Sequence, residues 1–504
     1  MDLHKSVAAC DEVLASVEKN LTSFQADLAA VSAEIESLQT RSTSLDARLQ
    51  ARKEVEKLLG PEVEALSLSP AAIRKVAEGA VDESWLKSLA DIDKCSMIIE
   101  SKAKTCGDSK SIRDIRPLLE NLKDRAVERI RDYVVAQIKN LRSPGVNAQM
   151  LQQTALIKYK DAFAFLAKRQ PQLEQEIAQA YMNTMRWYYL SNFTRYKTAL
   201  DKLQLHTVDR VDALVQDESN RRGVGNKPVG PHDQFVLGRR KDLLTSPSQH
   251  ALNTYVTEED KSLHNLEIPF RNFNLALIDN ASTEFSFLTT FFATSSFHVL
   301  SRRFQEIFEP TIALGQSLTK KLVENTTDAL GILLCVRLNQ HFAFELQRRK
   351  VSTMEMYVNG TGMLLWPRFQ QVMDLHCEAL RKATIALTGR PTGSALSLTN
   401  ASSNVQSLAP HPITQRFANF VQGILVLSTE AGDDEPVQRS VGRTRDEFQA
   451  FLTKLSKSIP VAKKRDRFLF NNYSLVGTII HETEGRMADE VKSHFADIRN
   501  DLAD

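Results

Sequence analysis

Proline and glycine are scarce in this chain, whose 504 residues include only 16 prolines and 19 glycines. Both residues interrupt helices and are frequent in turns, so their scarcity favours long helices over a fold of short strands. No run of alternating apolar and polar residues is followed by a hairpin turn. We therefore predict an all-α protein, and its length predicts more than one core-forming unit.

An excess of one charge is also missing. The 64 Lys and Arg nearly balance the 62 Asp and Glu, which leaves a net charge of +2. The whole chain therefore offers no strong field to a polyanion, and we predict no nucleic-acid partner. Two local basic runs stand out, Arg348–Lys350 and Lys463–Arg467. Such runs are typical of solvated helix faces, and contact with lipid or nucleic acid is the alternative interpretation of both.

Long apolar runs are missing too. The longest, Leu330 to Val336, is closed by Arg337 and is far shorter than the roughly 20 residues that cross a bilayer. The first residues lack the apolar core of a signal peptide. We therefore expect membrane association to be peripheral or through partners. The five cysteines are scattered without zinc-type pairs, which predicts reduced thiols in a cytosolic protein.

Each candidate motif for catalysis or metal binding lacks a residue or a structural context that its chemistry requires. His481–Gly485 begins like the helix of a zinc protease but lacks the second histidine that the metal needs. The glycines of Gly223–Gly225 follow no predicted strand, so they do not form a phosphate cradle. Adjacent His376 and Cys377 point to different sides of a helix, which favours structural roles. The sequence thus predicts no catalytic, cofactor or metal site, and we expect that the chain is not an enzyme.

The strongest pattern is a heptad repeat in the first fifty residues. Apolar residues recur at alternating steps of four and three, and only Ser42 interrupts them. This seam consists of Leu3, Val7, Cys10, Leu14, Val17, Leu21, Phe24, Leu28, Val31, Ile35, Leu38, Leu45 and Leu49. A stripe with this 3.5-residue period is typical of a helix that supercoils with partner helices. The seam residues are therefore our candidate partner-binding site.

The alternative for this segment is a long amphipathic helix that packs on its own domain. Flanking charges mix acidic and basic residues and do not settle the orientation or the identity of the partner. Ser42 in the seam is a candidate for setting the register.

Composition changes divide the rest of the chain. We predict a coiled coil over residues 1–60, a first helical bundle over 61–218, a flexible linker over 219–260, and further helical bundles over 261–504 with loops near 389–412 and 430–440. From Pro171 a helix carries aromatic residues at steps of three and four, which are typical of a packed core; a stacking platform for nucleic acid is the alternative. The run from Leu330 to Leu338 lies in a proline-free stretch, which favours helix over strand.

A set of short motifs carries a family resemblance. They are LQTRSTSLDARLQARKEVEKLLGP (38–61), TALIKY (154–159), IPF (268–270), LIDN (277–280), LWPRF (365–369, preceded by Leu364), ITQRF (413–417) and FLFNNY (468–473). In this order they resemble the vacuolar protein sorting-associated protein 52 family, over nearly the whole chain. That family supplies a subunit of the Golgi-associated retrograde protein complex, GARP, and of its endosomal counterpart, EARP.

The resemblance implies a rod of stacked helical bundles, of the CATCHR type shared by exocyst and related tethers. It implies an N-terminal coiled coil that assembles with three sibling subunits, and capture of endosome-derived vesicles at the trans-Golgi network in retrograde transport. SNARE proteins and small GTPases of the Rab or Arl type are the implied further partners, and the implied location is the cytosolic face of the trans-Golgi network and endosomes. The family has no catalytic motif to transfer.

The segment after Gly223 departs from the resemblance. The heptads begin so early that we expect an upstream extension to be missing or trimmed. A homomeric coiled-coil scaffold is the alternative function. It would need heptads throughout, whereas here they stop near Leu49.

Overall fold

The computed structural model describes residues 2–106, 110–143, 145–206, 213–215, 235–245, 251, 262–387, 408–429 and 435–502. The described residues are helical apart from short connections and one pair of two-residue strands, which confirms the all-α prediction. The chain divides into two compact units, Met1–Tyr133 and Val134–Asp504. The predicted domain boundaries were placed elsewhere, at 60, 218 and 260, and they stay predictions.

Unit 1 is built on one very long helix. Its helices are α1 (Asp2–Leu66), α2 (Pro70–Glu78), α3 (Glu83–Cys106) and the first part of α4 (Lys110–Asn140). Pro70 occupies the first position of α2, where its missing N–H costs no intrahelical hydrogen bond, and Gly79 follows the last residue of the helix. Trp85 is completely buried and its indole N–H donates to the carbonyl of Val76. Arg129 donates to the same carbonyl, so α4 is tied to the end of α2.

Unit 2 contains the end of α4 and the remaining elements. They are α5 (Ala148–Leu151) with a π-helical and a 3₁₀ turn (Gln152–Leu156, Ile157–Tyr159), α6 (Lys160–Arg169), α7 (Pro171–Leu200), β1 (Gln204–Leu205), a 3₁₀ turn (Gly238–Lys241) with α8 (Asp242–Thr245), β2 (Leu263–His264), α9 (Glu267–Phe291), α10 (Phe297–Glu324), α11 (Ala329–Arg348), a 3₁₀ turn (Ser352–Met354), α12 (Glu355–Ala386), α13 (Pro412–Ser428), α14 (Glu435–Ser456), α15 (Ala462–Ile480) and α16 (Arg486–Asp501). The two strands pair in parallel.

Aromatic side chains fill the core of unit 2. The face of α7 that the periodicity predicted as core is buried, from Ile177 to Leu200. Its Tyr189 stacks on Phe308 of α10 at 4.6 Å between ring centroids. Phe417 of α13 stacks on Phe448 of α14 at 3.9 Å. The run from Leu330 to Leu338 is buried on all sides within α11, so the prediction of helix there is confirmed.

A buried carboxylate lies within this core. Glu284 of α9 is fully buried and accepts hydrogen bonds from the hydroxyls of Tyr181 (2.7 Å) and Tyr189 (2.9 Å) and from the side-chain amide of Gln152 (2.7 Å). Burial raises the pKa of Glu284, and the three donors oppose that shift. Because Gln152 begins the π-helical turn, this irregular turn delivers an amide donor to the core.

Helix α1 extends past the predicted end of the coiled coil. The coiled coil was predicted over residues 1–60, and the helix itself continues through Gly60 and Pro61 to Leu66. Proline lacks the N–H that would donate to the carbonyl of Lys57, so one hydrogen bond is lost, but its fixed φ is compatible with a helix.

The predicted linker and loops are described only in part. Within 219–260, residues 238–245 form the short 3₁₀ turn and α8, and Phe235, Leu237 and Arg240 are buried. Residues 216–234 lie outside the described residues, with Gly223–Gly225 among them, as do 246–250, 252–261, 388–407 and 430–434. Helix α14 already begins at Glu435, so the second predicted loop does not extend from there to residue 440.

Within the described ranges, no helix is long and apolar enough to cross a bilayer. Cys10 is exposed, whereas Cys95, Cys335 and Cys377 are buried.

Candidate partner-binding site

The thirteen predicted seam residues all lie on α1, and every one of them is exposed. The twelve large apolar members range from 45% exposed at Val17 to 82% at Leu3. With about 1.5 Å of rise per residue, the seam from Leu3 to Leu49 is roughly 70 Å long. The structure therefore presents one continuous apolar stripe on the surface of a single helix.

The spacing continues beyond the predicted seam. Arg52 and Glu56 occupy the next two heptad positions, and Leu59 and Val63 the two after them; both apolar residues are exposed. Sequence reasoning missed this extension because it stopped at the two polar positions and at Gly60–Pro61. The signal was present, since the steps of three and four continue without a shift.

The choice of apolar residues bears on how many helices meet at the seam. With Val7 as the first a position, the a positions are mostly leucine, at Leu14, Leu21, Leu28 and Leu49. The d positions include β-branched Val17 and Val31. Because β-branched Val7 and Ile35 also occupy a positions, and Leu3, Leu38 and Leu45 occupy d positions, the mixture is typical neither of a two-stranded coil nor of a larger one.

Charges beside the seam are asymmetric. Between residues 11 and 34, the charged e and g positions are all acidic, at Asp11, Glu18, Asp27 and Glu34. Basic residues reach these positions only later, at Arg41. The N-terminal half of the seam is thus flanked by negative charge, which favours partner helices with Lys or Arg at the facing positions.

Family motifs in unit 2 have a different role, because they contribute residues to the core. Phe270 of IPF, Ile278 of LIDN and Phe369 of LWPRF are buried. The last two motifs are bonded to each other: the hydroxyl of Thr414 donates to the side-chain carbonyl of Asn472 at 2.6 Å. These motifs therefore specify helix packing.

The rejected motifs give no site in the structure. His481–Gly485 forms the connection between α15 and α16 and is not a helix. His376 is buried against the rings of Phe235 and Phe420, and the Cys377 thiol contacts the Thr444 hydroxyl. Among the described residues, no group of His, Cys, Asp or Glu side chains is arranged to hold a metal ion.

Comparison with known proteins decides the family. The model for the Vps52 C-terminal region matches residues 183–504, and the coiled-coil model of the Vps52/Sac2 family matches residues 1–166. The chain belongs to the Vps52 family. The resemblance carried by the sequence motifs is thereby confirmed.

Relatives within the Vps52 family match almost the whole chain. Vacuolar protein sorting-associated protein 52 of Schizosaccharomyces pombe is 30% identical over 99% of this chain and 96% of its own length. The Saccharomyces cerevisiae protein of that name is 29% identical over 92% of this chain and 79% of its own length. The human homolog is 27% identical over 97% of this chain, which spans 66% of that relative. The Vps52 coiled-coil match covers all of α1, including the seam.

Proposed function

We propose that this chain is a non-catalytic subunit of a multisubunit tethering complex of the GARP type. In this proposal the complex captures endosome-derived vesicles at the trans-Golgi network, and the chain joins its sibling subunits through the seam of α1. The observation that carries the proposal is the exposure of all thirteen seam residues on one helix of a Vps52-family chain.

Physical chemistry supports assembly at the seam. Burying one large apolar side chain completely contributes about 1.5–3 kcal/mol, and twelve such side chains are exposed here. An open stripe of this size promotes aggregation. Partner helices cover it and gain the free energy that offsets the ordering and association costs.

The charges beside the seam bear on the identity of the partner helices. The acidic flank from Asp11 to Glu34 favours siblings with complementary basic flanks.

In this proposal, the helical bundles that follow α1 contact the other components of the transport machinery. We propose SNARE proteins and small GTPases of the Rab or Arl type as their partners, and the cytosolic face of the trans-Golgi network and endosomes as the location. Several weak contacts on one assembly combine through effective concentration, so no single strong site is required.

The test is co-purification of the tagged full chain from native cytosol, with mass spectrometry of what is bound. Leu21→Asp with Leu28→Asp places two charges at consecutive a positions. Because charges are poorly tolerated in a coiled-coil core, we expect the sibling subunits to be lost. Circular dichroism is expected to show unchanged unfolding of unit 2.

Ser23→Asp with Ala30→Asp is the matched control. These c positions are also seven residues apart on α1 but face away from the seam, so the added charge and the cost in helix propensity are similar. The control is expected to retain the siblings. Normal assembly of the Leu21/Leu28 variant would contradict the proposal.

A homomeric coiled-coil scaffold is distinguished by mass in solution. Light scattering of the purified full chain would reveal a stable homodimer if the seam paired with itself. The end of α1 at Leu66, followed by helices with buried cores, favours the tethering subunit over an extended scaffold.

A further inference from the structure

The connection between α14 and α15 forms a small, well-defined tip on unit 2. Helix α14 ends at Ser456 and α15 begins at Ala462. Backbone hydrogen bonds close the turn, with the N–H of Ser458 donating to Leu455 at 3.1 Å and that of Ile459 to Ser456 at 3.0 Å. Because Leu452 and Phe468 are buried on either side, both helices hold the turn in place.

This tip carries a concentrated positive charge. Residues 454–467 contain a single acid, Asp466, against six cations: Lys454, Lys457, Lys463, Lys464, Arg465 and Arg467. We call residues 454–467 the basic tip. Lys457, Lys463, Lys464 and Arg467 are exposed. Arg467 lies over the ring of Phe470 at 5.4 Å. Within the described residues, no carboxylate forms an ion pair with any of the six cations.

The arginines of the other basic run, Arg348–Lys350, form ion pairs with acidic side chains. Arg348 pairs with Glu345 at 2.7 Å, and Arg349 pairs with Asp279 at 2.7 Å. From the sequence, both runs were interpreted as solvated helix faces. The structure distinguishes them: among the residues that it describes, the arginines at Arg348–Lys350 have acidic partners and those of the basic tip do not.

Carboxylates on the neighbouring helices do not neutralise the basic tip. On α14, Asp446 pairs with Arg445 and Glu447 with Arg381. On α16, Asp497 accepts from Ser493, and Asp501 at its end makes no ion pair within the described residues. Cations in the first turn of α15 also oppose the helix dipole, so an external anion is favourable there.

An apolar residue lies at the centre of the basic tip. Val461 is 48% exposed beside exposed Pro460, with lysines on both sides. An apolar point surrounded by cations suits the boundary of an anionic bilayer, where apolar groups enter and cations meet the headgroups. Nucleic acid would favour exposed aromatic platforms, whereas Phe468 is buried and Phe470 is covered by Arg467.

We propose that the basic tip binds the headgroup surface of a membrane that contains anionic lipid, with Val461 inserted at headgroup level. This goes beyond the proposed function, which requires only partners for membrane association. Each cation near such a surface strengthens binding severalfold, and the effect weakens as salt rises.

The experiment is flotation of the full chain with phosphatidylcholine vesicles, with and without phosphatidylserine, at low and at high salt. We expect binding that needs phosphatidylserine and declines at high salt. Lys463→Glu with Lys464→Glu and Arg467→Glu is expected to weaken binding about tenfold or more. Val461→Ser, which keeps every charge, is expected to weaken it severalfold.

The matched control is Lys168→Glu with Arg302→Glu and Lys320→Glu. These exposed cations lie apart on α6 and α10, so the net charge changes equally without altering the basic tip. Circular dichroism verifies folding, and Lys463→Ala with Lys464→Ala replaces the triple variant if that variant misfolds.

Equal losses in the triple variant and its control would overturn the proposal, as would binding without phosphatidylserine dependence. Binding to duplex DNA or RNA with none to vesicles would overturn it in favour of nucleic acid. The Leu21/Leu28 variant is expected to float like the unaltered chain, so a failure of the seam and a failure of the basic tip are distinguishable.

Discussion

The guanidinium of Arg240 lies 2.6 Å from Oδ2 of Asp328 and 2.7 Å from Oε1 of Glu267, and all three side chains are buried. Asp328 also accepts from the backbone N–H of Gly331 at 2.9 Å and so caps α11. Burial alone would lower the pKa of Arg240, but the two carboxylates outweigh it and hold that pKa above its usual value. This cluster connects the short 3₁₀ turn at Gly238–Lys241 to the starts of α9 and α11.

Removing the cation is expected to be costly. Arg240→Met leaves two buried carboxylates without their partner, so we expect the free energy of unfolding to fall by about 3–5 kcal/mol in urea titrations followed by circular dichroism. Arg349→Met is the control, because its ion pair with Asp279 is partly exposed and is expected to cost about 0–1 kcal/mol. Similar small losses in both variants would refute a structural role for the buried cluster.

The buried histidine of α12 predicts a dependence of stability on pH. Burial lowers the pKa of His376 to about 4, and Asp328 only partly opposes this shift. An unfolded histidine has a pKa of about 6.5, so below that pH the unfolded state binds a proton that the folded state does not. The contribution of His376 to the free energy of unfolding is therefore fully present well above pH 6.5 and decreases towards pH 4. At pH 5 it is lower by about 2 kcal/mol than at high pH.

His376→Phe tests this dependence, since the ring lies among Phe235 and Phe420. The variant is expected to lose less stability than the unaltered chain when unfolding is measured at neutral pH and at about pH 5. His411, whose pKa burial also lowers to about 4, is present in both proteins. The difference between them therefore isolates His376, and identical pH profiles would show that His376 does not carry the effect.

Periodicity predicted the regular parts of this molecule well. The apolar steps on α7 and the length of the proline-free stretch around Leu330 identified helices and their buried faces. Local patterns suffice there because each residue's burial follows from its position on its own helix. The continuation of α1 through Pro61 does not follow from the sequence, because a proline within a helix costs one hydrogen bond and nothing nearby in sequence shows that the helix tolerates it.

Relationships between distant residues were out of reach. Arg240 lies in a segment whose composition predicted a linker, and its partners follow 27 and 88 residues later. The two basic runs are also not distinguished by the sequence, because Arg349 pairs with Asp279, which is 70 residues away. Within the described part of the chain, the cations of the basic tip form no ion pair with a carboxylate. For the seam, periodicity identified thirteen exposed residues of α1, because a coiled-coil stripe is a local pattern, and it missed the extension to Leu59 and Val63.

The last prediction concerns two glycines within helices. A Cβ at Gly315 of α10 would lie 2.6 Å from the hydroxyl oxygen of Tyr357 and 2.8 Å from a ring carbon of Phe273. Both side chains are buried, and the Tyr357 hydroxyl donates to Asn274 at 2.5 Å, so neither moves without loss of packing or of that hydrogen bond. We expect Gly315→Ala to cost about 1–3 kcal/mol despite the helix propensity of alanine.

Gly442 of α14 supplies the opposite case, because no heavy atom lies within 4 Å of its added Cβ. Gly442→Ala is expected to raise the free energy of unfolding by about 0.5–1 kcal/mol through helix propensity alone. Urea unfolding of the two variants therefore separates propensity from close packing. A gain in both would mean that Tyr357 and Phe273 yield to the methyl group, and that the contact between α10 and α12 is looser than its distances imply.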